Sequence, residues 1–319
     1  MNRGVVAALA LVGCKVENGF HAGHGTDLFH QVPNDKVDVL FVVDESGSMH
    51  EEQVALADGF DAFLAELDRS TTNYHIGLVS TSQDAPGSGL LVGKPAILTP
   101  ADDTAALFPD RVMLGVAGSD KEKGLAAAVE ALDQNPGFVR PGASLVVVFV
   151  TDEDDCSDDG ALDGEPAIAC YQQSERLVPV TELVDRIRAH KPDGEVVRFG
   201  GLLGPLDWSC ADAYPGNRYA RAIAEVGGSV GPICDDDWTP ILASLGVVAV
   251  GILEEFTLSQ PADLETIEVF VDEVPVPQDP EDGWTYDWQS SLLTFHGDAI
   301  PPRDAEIRVE YEISFDAAG

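Results

Sequence analysis

Residues 37–43 read VDVLFVV and run without a break into Asp44-Glu45-Ser46-Gly47-Ser48-Met49. A short run this apolar suits a parallel strand buried on both faces. The cluster behind it carries one carboxylate and two hydroxyls at alternate positions. Oxygen donors of that kind suit a hard cation such as Mg²⁺, Mn²⁺ or Ca²⁺. A plainer role is also open to them, since Ser46 or Ser48 could cap the helix that starts near Met49. The D-x-S-x-S pattern alone does not choose.

Reading outward, Leu56, Phe60, Phe63, Leu64 and Leu67 fall on one face of a helix. Residues 74–81 (YHIGLVST) predict a second strand, and 90–99 a strand and turn. Leu125, Ala128, Val129 and Leu132 make another helical stripe, and residues 145–150 (LVVVFV) are the strongest buried-strand signal in the chain. Helices over 180–191, 218–226 and 238–250 alternate with strands over 195–203 and 228–234. This alternation predicts an α/β body over 36–252: a doubly wound, mostly parallel sheet with helices on both faces. In such a sheet, ligands bind beyond the carboxyl ends of the strands.

From about residue 253 the period changes to two. Ile267, Val269 and Val271 alternate with polar or outward positions, as do Ile307, Val309, Tyr311 and Ile313. Residues 283–288 and 292–296 flank Gln289-Ser290-Ser291 as a hairpin would. The expectation is a small all-β, sandwich-like domain over 253–319.

Two further loops add oxygen ligands where the α/β body would gather them. The strand over 145–150 ends in Thr151-Asp152, and Gly118-Ser119-Asp120 precedes the Leu125 helix. Residues 152–165 hold eight carboxylates in fourteen positions. They read as a solvated acidic loop; their spacing is not that of an EF-hand, though a separate Ca²⁺ site there is an alternative. Asp235, Asp236 and Asp237 read as charge at the start of the following helix.

The chain has 18 basic and 56 acidic residues, a net charge of −38. That excludes a phosphate-reading surface, so no nucleic-acid partner is expected. It equally opposes electrostatic docking on an anionic membrane. Hydrophobic residues make up 45 %, enough for a real core. No HExxH or P-loop occurs, so no enzyme is expected.

The amino terminus has a basic start and an apolar stretch over 4–12, the pattern of an export signal. Its end, Leu11-Val12-Gly13-Cys14, resembles a bacterial lipobox, which implies a signal peptide over 1–14 and a lipid on Cys14. Cleavage of an ordinary signal after Ala10 is the alternative. Residues 15–35, with His21, His24 and His30, read as a polar tether. Removing Cys14 from the five cysteines leaves Cys156, Cys170, Cys210 and Cys234. Four cysteines allow three pairings. Cys156–Cys170 and Cys210–Cys234 are favoured because each closes a loop within one inter-element region, and export makes such bonds sensible.

With VVDESGSM (42–49), Ser119 five residues before Gly124, and Asp152 in VVVFVTDED, residues 36–252 resemble the von Willebrand factor type A (VWA) family and its metal-ion-dependent adhesion site. The resemblance implies one divalent cation, Mg²⁺ or Mn²⁺ with Ca²⁺ as the alternative, held by Asp44, Ser46, Ser48, Ser119 and Asp152. It implies a protein partner that presents a carboxylate to the ion. The whole layout is similar to VWA surface lipoproteins of Gram-negative bacteria, which implies a lipid-anchored envelope protein, in the outer membrane, touching the membrane only through Cys14. Two departures stand out. Ser119 replaces the family's threonine and lacks its stiff rotamer, so Asp120 is an alternative donor. Glu153 stands where glycine is frequent, and with Asp154 it adds charge at the rim that favours Ca²⁺. A structural envelope scaffold with a vestigial ion site is the runner-up, and a metal-dependent hydrolase the third reading.

Overall fold

The computed structural model describes residues 23–31, 35–70, 72–83, 88–192 and 194–314. The expected signal peptide, Cys14, His21 and the start of the tether lie outside them. Among the described residues no helix is long and apolar enough to cross a membrane. The chain divides into two compact units, residues 30–253 with 301–305, and the remainder.

β1 (His24–His30) opens the described chain and belongs mainly to the second unit. The first unit then runs β2 (Lys36–Val43), α1 (His50–Arg69), β3 (Asn73–Ser80), α2 (Thr104–Val112), α3 (Gly124–Gln134) and β4 (Ser144–Thr151). It continues through α4 (Ala169–Gln172), α5 (Val180–Arg188), β5 (Val197–Leu203), α6 (Asn217–Val226), β6 (Val230–Pro232) and α7 (Thr239–Val250). The five strands form one parallel sheet in the order β3-β2-β4-β5-β6. The fold class is therefore α/β and doubly wound.

Period two along the strands explains the two helix layers. Val39, Phe41 and Val43 face a core built with α1, α2 and α7, whereas Leu40 and Val42 face one built with α3, α5 and α6. Phe41 anchors the first layer, its ring 5.3 Å from that of Phe63 and 4.9 Å from that of Phe108. Burying each such ring contributes about 1.5–3 kcal/mol.

The register matters for function. Val43 lies level with Ser80 on one side and Val150 on the other. Chain order turns back on itself here, since β3 lies on one side of β2 and β4 on the other. The crevice beyond β2 and β4 is the switch point where such sheets bind ligands.

In this unit one expected strand is absent and one helix was not anticipated. Residues 90–99 form no strand; Leu98 makes only a single bridge to Ile76. α2 was not expected, because it is one short helix with Pro109 inside it and little room for periodicity. A proline interrupts the pattern as well as the hydrogen bonds.

The second unit carries β7 (Glu255–Thr257), β8 (Glu268–Val271), β9 (Val274–Val276), β10 (Trp284–Asp287), β11 (Leu292–Phe295) and β12 (Glu306–Glu312). They form a four-stranded sheet, β1-β12-β8-β9, and a three-stranded sheet, β10-β11-β7. Ile307, Val309 and Tyr311 enter its core with Val269, Leu293 and Phe295. The β8–β9 turn places Asp272 and Glu273 at positive φ, the geometry of a tight hairpin. The all-β region is present, but its membership differs from 253–319. Residues 24–30, read as tether, supply strand β1. Its residues alternate between exposed and half-buried, so it reads as polar; Asp27 accepts the Tyr311 hydroxyl at 2.7 Å from the far end of the chain. Residues 301–305 group instead with the first unit.

Cys156 and Cys170 are disulfide-bonded, with Cα atoms 5.3 Å apart. The expected Cys210–Cys234 bond is not formed. Cys210 is a buried thiol and Cys234 an exposed one, and burial followed by contact with Cys210 pushes the Cys234 thiol up to about 11. Loop length says which loop a bond would close, not whether two neighbouring sulfurs are oxidised.

Candidate functional site

β2 ends at Val43, so Asp44 is delivered at the carboxyl edge of the sheet. Its backbone N–H continues the ladder to the Val150 carbonyl at 2.9 Å. The carboxylate is fully buried. Oδ1 accepts the Ser46 N–H and Oδ2 accepts the Thr151 hydroxyl, both at 2.6 Å. The Ser46 and Ser48 hydroxyls lie 3.3 Å apart. Neither caps α1: its N-cap residue is Met49, without a side-chain capping bond. The plain capping role thus lapses, and both hydroxyls stay in the loop. Gln53, fully buried one turn into α1, locks that loop by donating to the Asp44 and Gly115 carbonyls.

β4 delivers Thr151 and Asp152 beside it. Asp152 is 4 % exposed and interacts with Ser48, while its Oδ1 has no hydrogen-bond partner. Its charge also bears on Asp44. The loop before α3 closes the third side. Gly118 donates to the Glu45 carbonyl at 2.9 Å, and a Cβ at 118 would stand 2.8 Å from that oxygen, so only glycine permits this approach. Ser119 donates its N–H to Ser82 Oγ and accepts the Lys121 N–H. Asp44, Ser46, Ser48 and Asp152 therefore meet at one end of the sheet, and Gly118 brings the loop that carries Ser119 against Glu45 beside them.

The structure adds a residue that the motif did not reveal. Glu122 is fully buried, accepts the Thr81 hydroxyl, and leaves Oε1 without a partner. Burial first, then the charge of Asp44, push its carboxyl upward, and burial does the same to Asp44 and Asp152. Glu153 is pushed up to about 7 by burial, then by Asp44, Asp152 and Asp120. Asp120 is exposed and stands near enough to act on Glu153. Asp154 is engaged elsewhere: its Oδ1 accepts N–H groups of Arg218 and Asp155. It braces α6 and does not extend the rim toward the site.

The neighbouring cations serve other carboxylates. Lys123 pairs with Asp158 at 2.7 Å and Arg218 with Asp155 at 3.0 Å. Asp155 also accepts the Leu125 N–H at the start of α3, and Asp158 the Leu162 N–H. Part of the supposedly solvated acidic loop is thus buried scaffolding. Asp237 accepts the Thr239 N–H at the start of α7, the role its position suggested. Among the described residues no Lys, Arg or His pairs with Asp44, Glu122, Asp152 or Glu153.

Chemically, the cluster is a set of buried acceptors lacking positive charge. The fit to a cation rests on two buried carboxylate oxygens without donors, Asp152 Oδ1 and Glu122 Oε1, beside two adjacent hydroxyls. Among the described residues no group of three His, Cys, Asp or Glu side chains is disposed to hold a metal by itself. Any ion here would draw on the serines and on water.

No family model matches this chain, and no curated protein matches it in sequence. Solved structures similar to it include the pilus adhesin SpaC from Lactobacillus rhamnosus GG in an open conformation: 15 % identity, TM-score 0.46, over 93 % of this chain and 42 % of that one. Proximal thread matrix protein 1 from mussel byssus is 11 % identical, with TM-score 0.42, over 73 % of this chain and 51 % of that one. A von Willebrand factor type A protein from Catenulispora acidiphila is 13 % identical, with TM-score 0.37, over 93 % of this chain and 67 % of that one. This chain spans less than half the length of the SpaC adhesin.

Proposed function

We propose that the protein is a non-enzymatic, adhesion-type binding module that recognises a carboxylate on a protein partner through one divalent cation. Asp44, Ser46, Ser48, Ser119 and Asp152 would hold the ion. When bound, it supplies a coordination position that a partner's carboxylate completes. The observation that carries this reading is the meeting of three sequence-distant loops around buried, cation-free carboxylates.

The chain's own residues do the rest. Thr151 and the Ser46 N–H hold Asp44 in one orientation, so little reorganises on binding. Gln53 and Gly118 fix the loops that carry the hydroxyls. Neutral hydroxyls leave the site short of direct anionic ligands, which suits capture of an outside carboxylate. The −38 charge opposes an acidic partner at long range, but at about 0.15 M salt the Debye length is about 8 Å, so contact chemistry dominates. Mg²⁺ or Mn²⁺ is the proposed ion; Glu153 is the feature that favours Ca²⁺. The lipobox-like segment supports export and a lipid anchor at Cys14, in an outer membrane.

Among the described residues no three acidic, His or Cys groups are disposed around one point to hold a metal, which favours a second reading, an envelope scaffold with a vestigial site. Isothermal titration of the full chain with Mg²⁺, Mn²⁺ and Ca²⁺ decides between them. The binding module predicts one saturable site that Asp44→Ala removes. Equal heats from wild type and Asp44→Ala leave the scaffold.

A further inference from the structure

A cavity of 390 Å³ lies beside the proposed ion site and shares Asp152 with it. Six carboxylates line it: Glu51, Glu52, Asp152, Asp212, Asp235 and Asp236. Among the described residues no Lys, Arg or His lines it. An acidic wall alone is only a solvated surface. Here a second observation points to a ligand. Trp238 lines the same cavity at 3 % exposure, and its indole N–H has no acceptor. A buried donor without a partner is unfavourable, because it has lost its bonds to water. On the acceptor side, Glu52 Oε2 also lacks a partner. Burial first, then the charges of Asp152, Glu51 and Asp212, hold the Glu52 carboxyl above its usual range.

We infer that this cavity receives the guanidinium or ammonium group of a basic side chain, carried on the same protein segment that offers its carboxylate to the ion. The Trp238 N–H donates to a carbonyl of that segment, and the carboxylates take the positive head group. Charge-assisted hydrogen bonds of this kind are stronger than neutral ones. The pairing also answers the problem of net charge. A bare carboxylate is repelled by a chain of −38, whereas a segment bearing both signs is not. The link to a carboxylate rests on the proposed ion site; the cavity's preference for a cation does not.

The test uses the full chain and two probes acetylated at the α-amino group, Nα-acetyl argininamide and its uncharged isostere Nα-acetyl citrullinamide (argininamide and citrullinamide below), first in EDTA and then with Mg²⁺. The readout is the Trp238 indole N–H resonance, assigned by its loss in Trp238→Phe. Argininamide is expected to shift it saturably in both conditions, and citrullinamide to bind about tenfold more weakly. Asp212→Asn with Asp236→Asn should weaken argininamide by about threefold while leaving Mg²⁺ affinity unchanged. Equal responses to the two probes, or no effect of the double substitution, overturn the inference. Mg²⁺ binding without argininamide binding sinks the cavity alone. Argininamide binding without Mg²⁺ binding keeps the cavity as a cation-binding pocket and sinks the ion site together with the link to a carboxylate.

Discussion

Asp38 and Asp44 stand at opposite ends of β2, both fully buried, and the chain treats them differently. Asp38 has a cation of its own. The Arg140 guanidinium reaches Oδ1 at 2.6 Å, its backbone N–H reaches Oδ2 at 2.6 Å, and its remaining donors hold the Val37 and Asn73 carbonyls. Asp44 has only neutral donors, from Thr151 and Ser46. A buried carboxylate is costly unless paired. At the amino edge of the sheet the pairing is internal, so the carboxylate is scaffold. At the carboxyl edge no side-chain cation pairs with it, and under the proposed function a proton or a bound ion takes that place. Under that reading the contrast separates a structural aspartate from a binding one on a single strand.

The largest test of the contrast is at the scaffold end. Arg140→Ala leaves Asp38 buried without its cation and should cost about 3–5 kcal/mol in urea unfolding. Its folded fraction should bind Mg²⁺ as wild type does. If Arg140→Ala instead weakens Mg²⁺ binding while stability holds, the two ends are not separate.

The next test is pH. The Asp44, Asp152 and Glu153 carboxyls lie above their ordinary values in the folded protein, Glu153 at about 7. Between the ordinary carboxylate range and about pH 7 the folded state therefore holds more protons than the unfolded one, and stability falls as pH rises. The contribution is complete at pH below the ordinary values and lost once the folded groups ionise. Calorimetry in EDTA should show Tm dropping by a few degrees across that window, the size of ~1–2 kcal/mol in a body this large after allowing for solvent screening. Saturating Mg²⁺ should flatten the slope, because the ion replaces the protons. A slope unaffected by Mg²⁺ contradicts the account.

Smaller effects sharpen the same comparison. Glu153→Gln removes one repelling carboxylate. It should raise stability in EDTA at pH 8 by about 0.5–1 kcal/mol, with little change at pH 5, and shift ion preference from Ca²⁺ toward Mg²⁺. Paired thermal melts and titrations read both. Smallest of all, Ser119→Thr restores a stiff hydroxyl and should tighten Mg²⁺ by about two- to threefold. A loss of affinity would instead mean that Ser119 acts through its contacts with Ser82 and Lys121.

Much of this was legible in the sequence, for identifiable reasons. β2 and β4 are buried on both faces and so read as unbroken apolar runs, and a strand end announces the residue that follows it. Asp44 and Asp152 were therefore readable as neighbours. Ser46 and Ser48 came with the local motif. Glu122, Thr151 and Gln53 were not readable, because register and loop packing, not spacing, bring them to Asp44. β1 was missed because a half-exposed strand of polar composition has no apolar run, and its neighbour β12 lies at the opposite end of the chain. α2 was missed because Pro109 breaks its pattern.

The central claim is that the carboxyl edge, and not the amino edge, imports a cation. Anomalous diffraction from crystals soaked in Mn²⁺ tests it most directly. The account predicts one strong peak within direct coordination distance of the Ser46 and Ser48 hydroxyls and close to Asp152, absent in Asp44→Ala crystals. No peak there, or a sole peak among Asp212, Asp235 and Asp236, would contradict it.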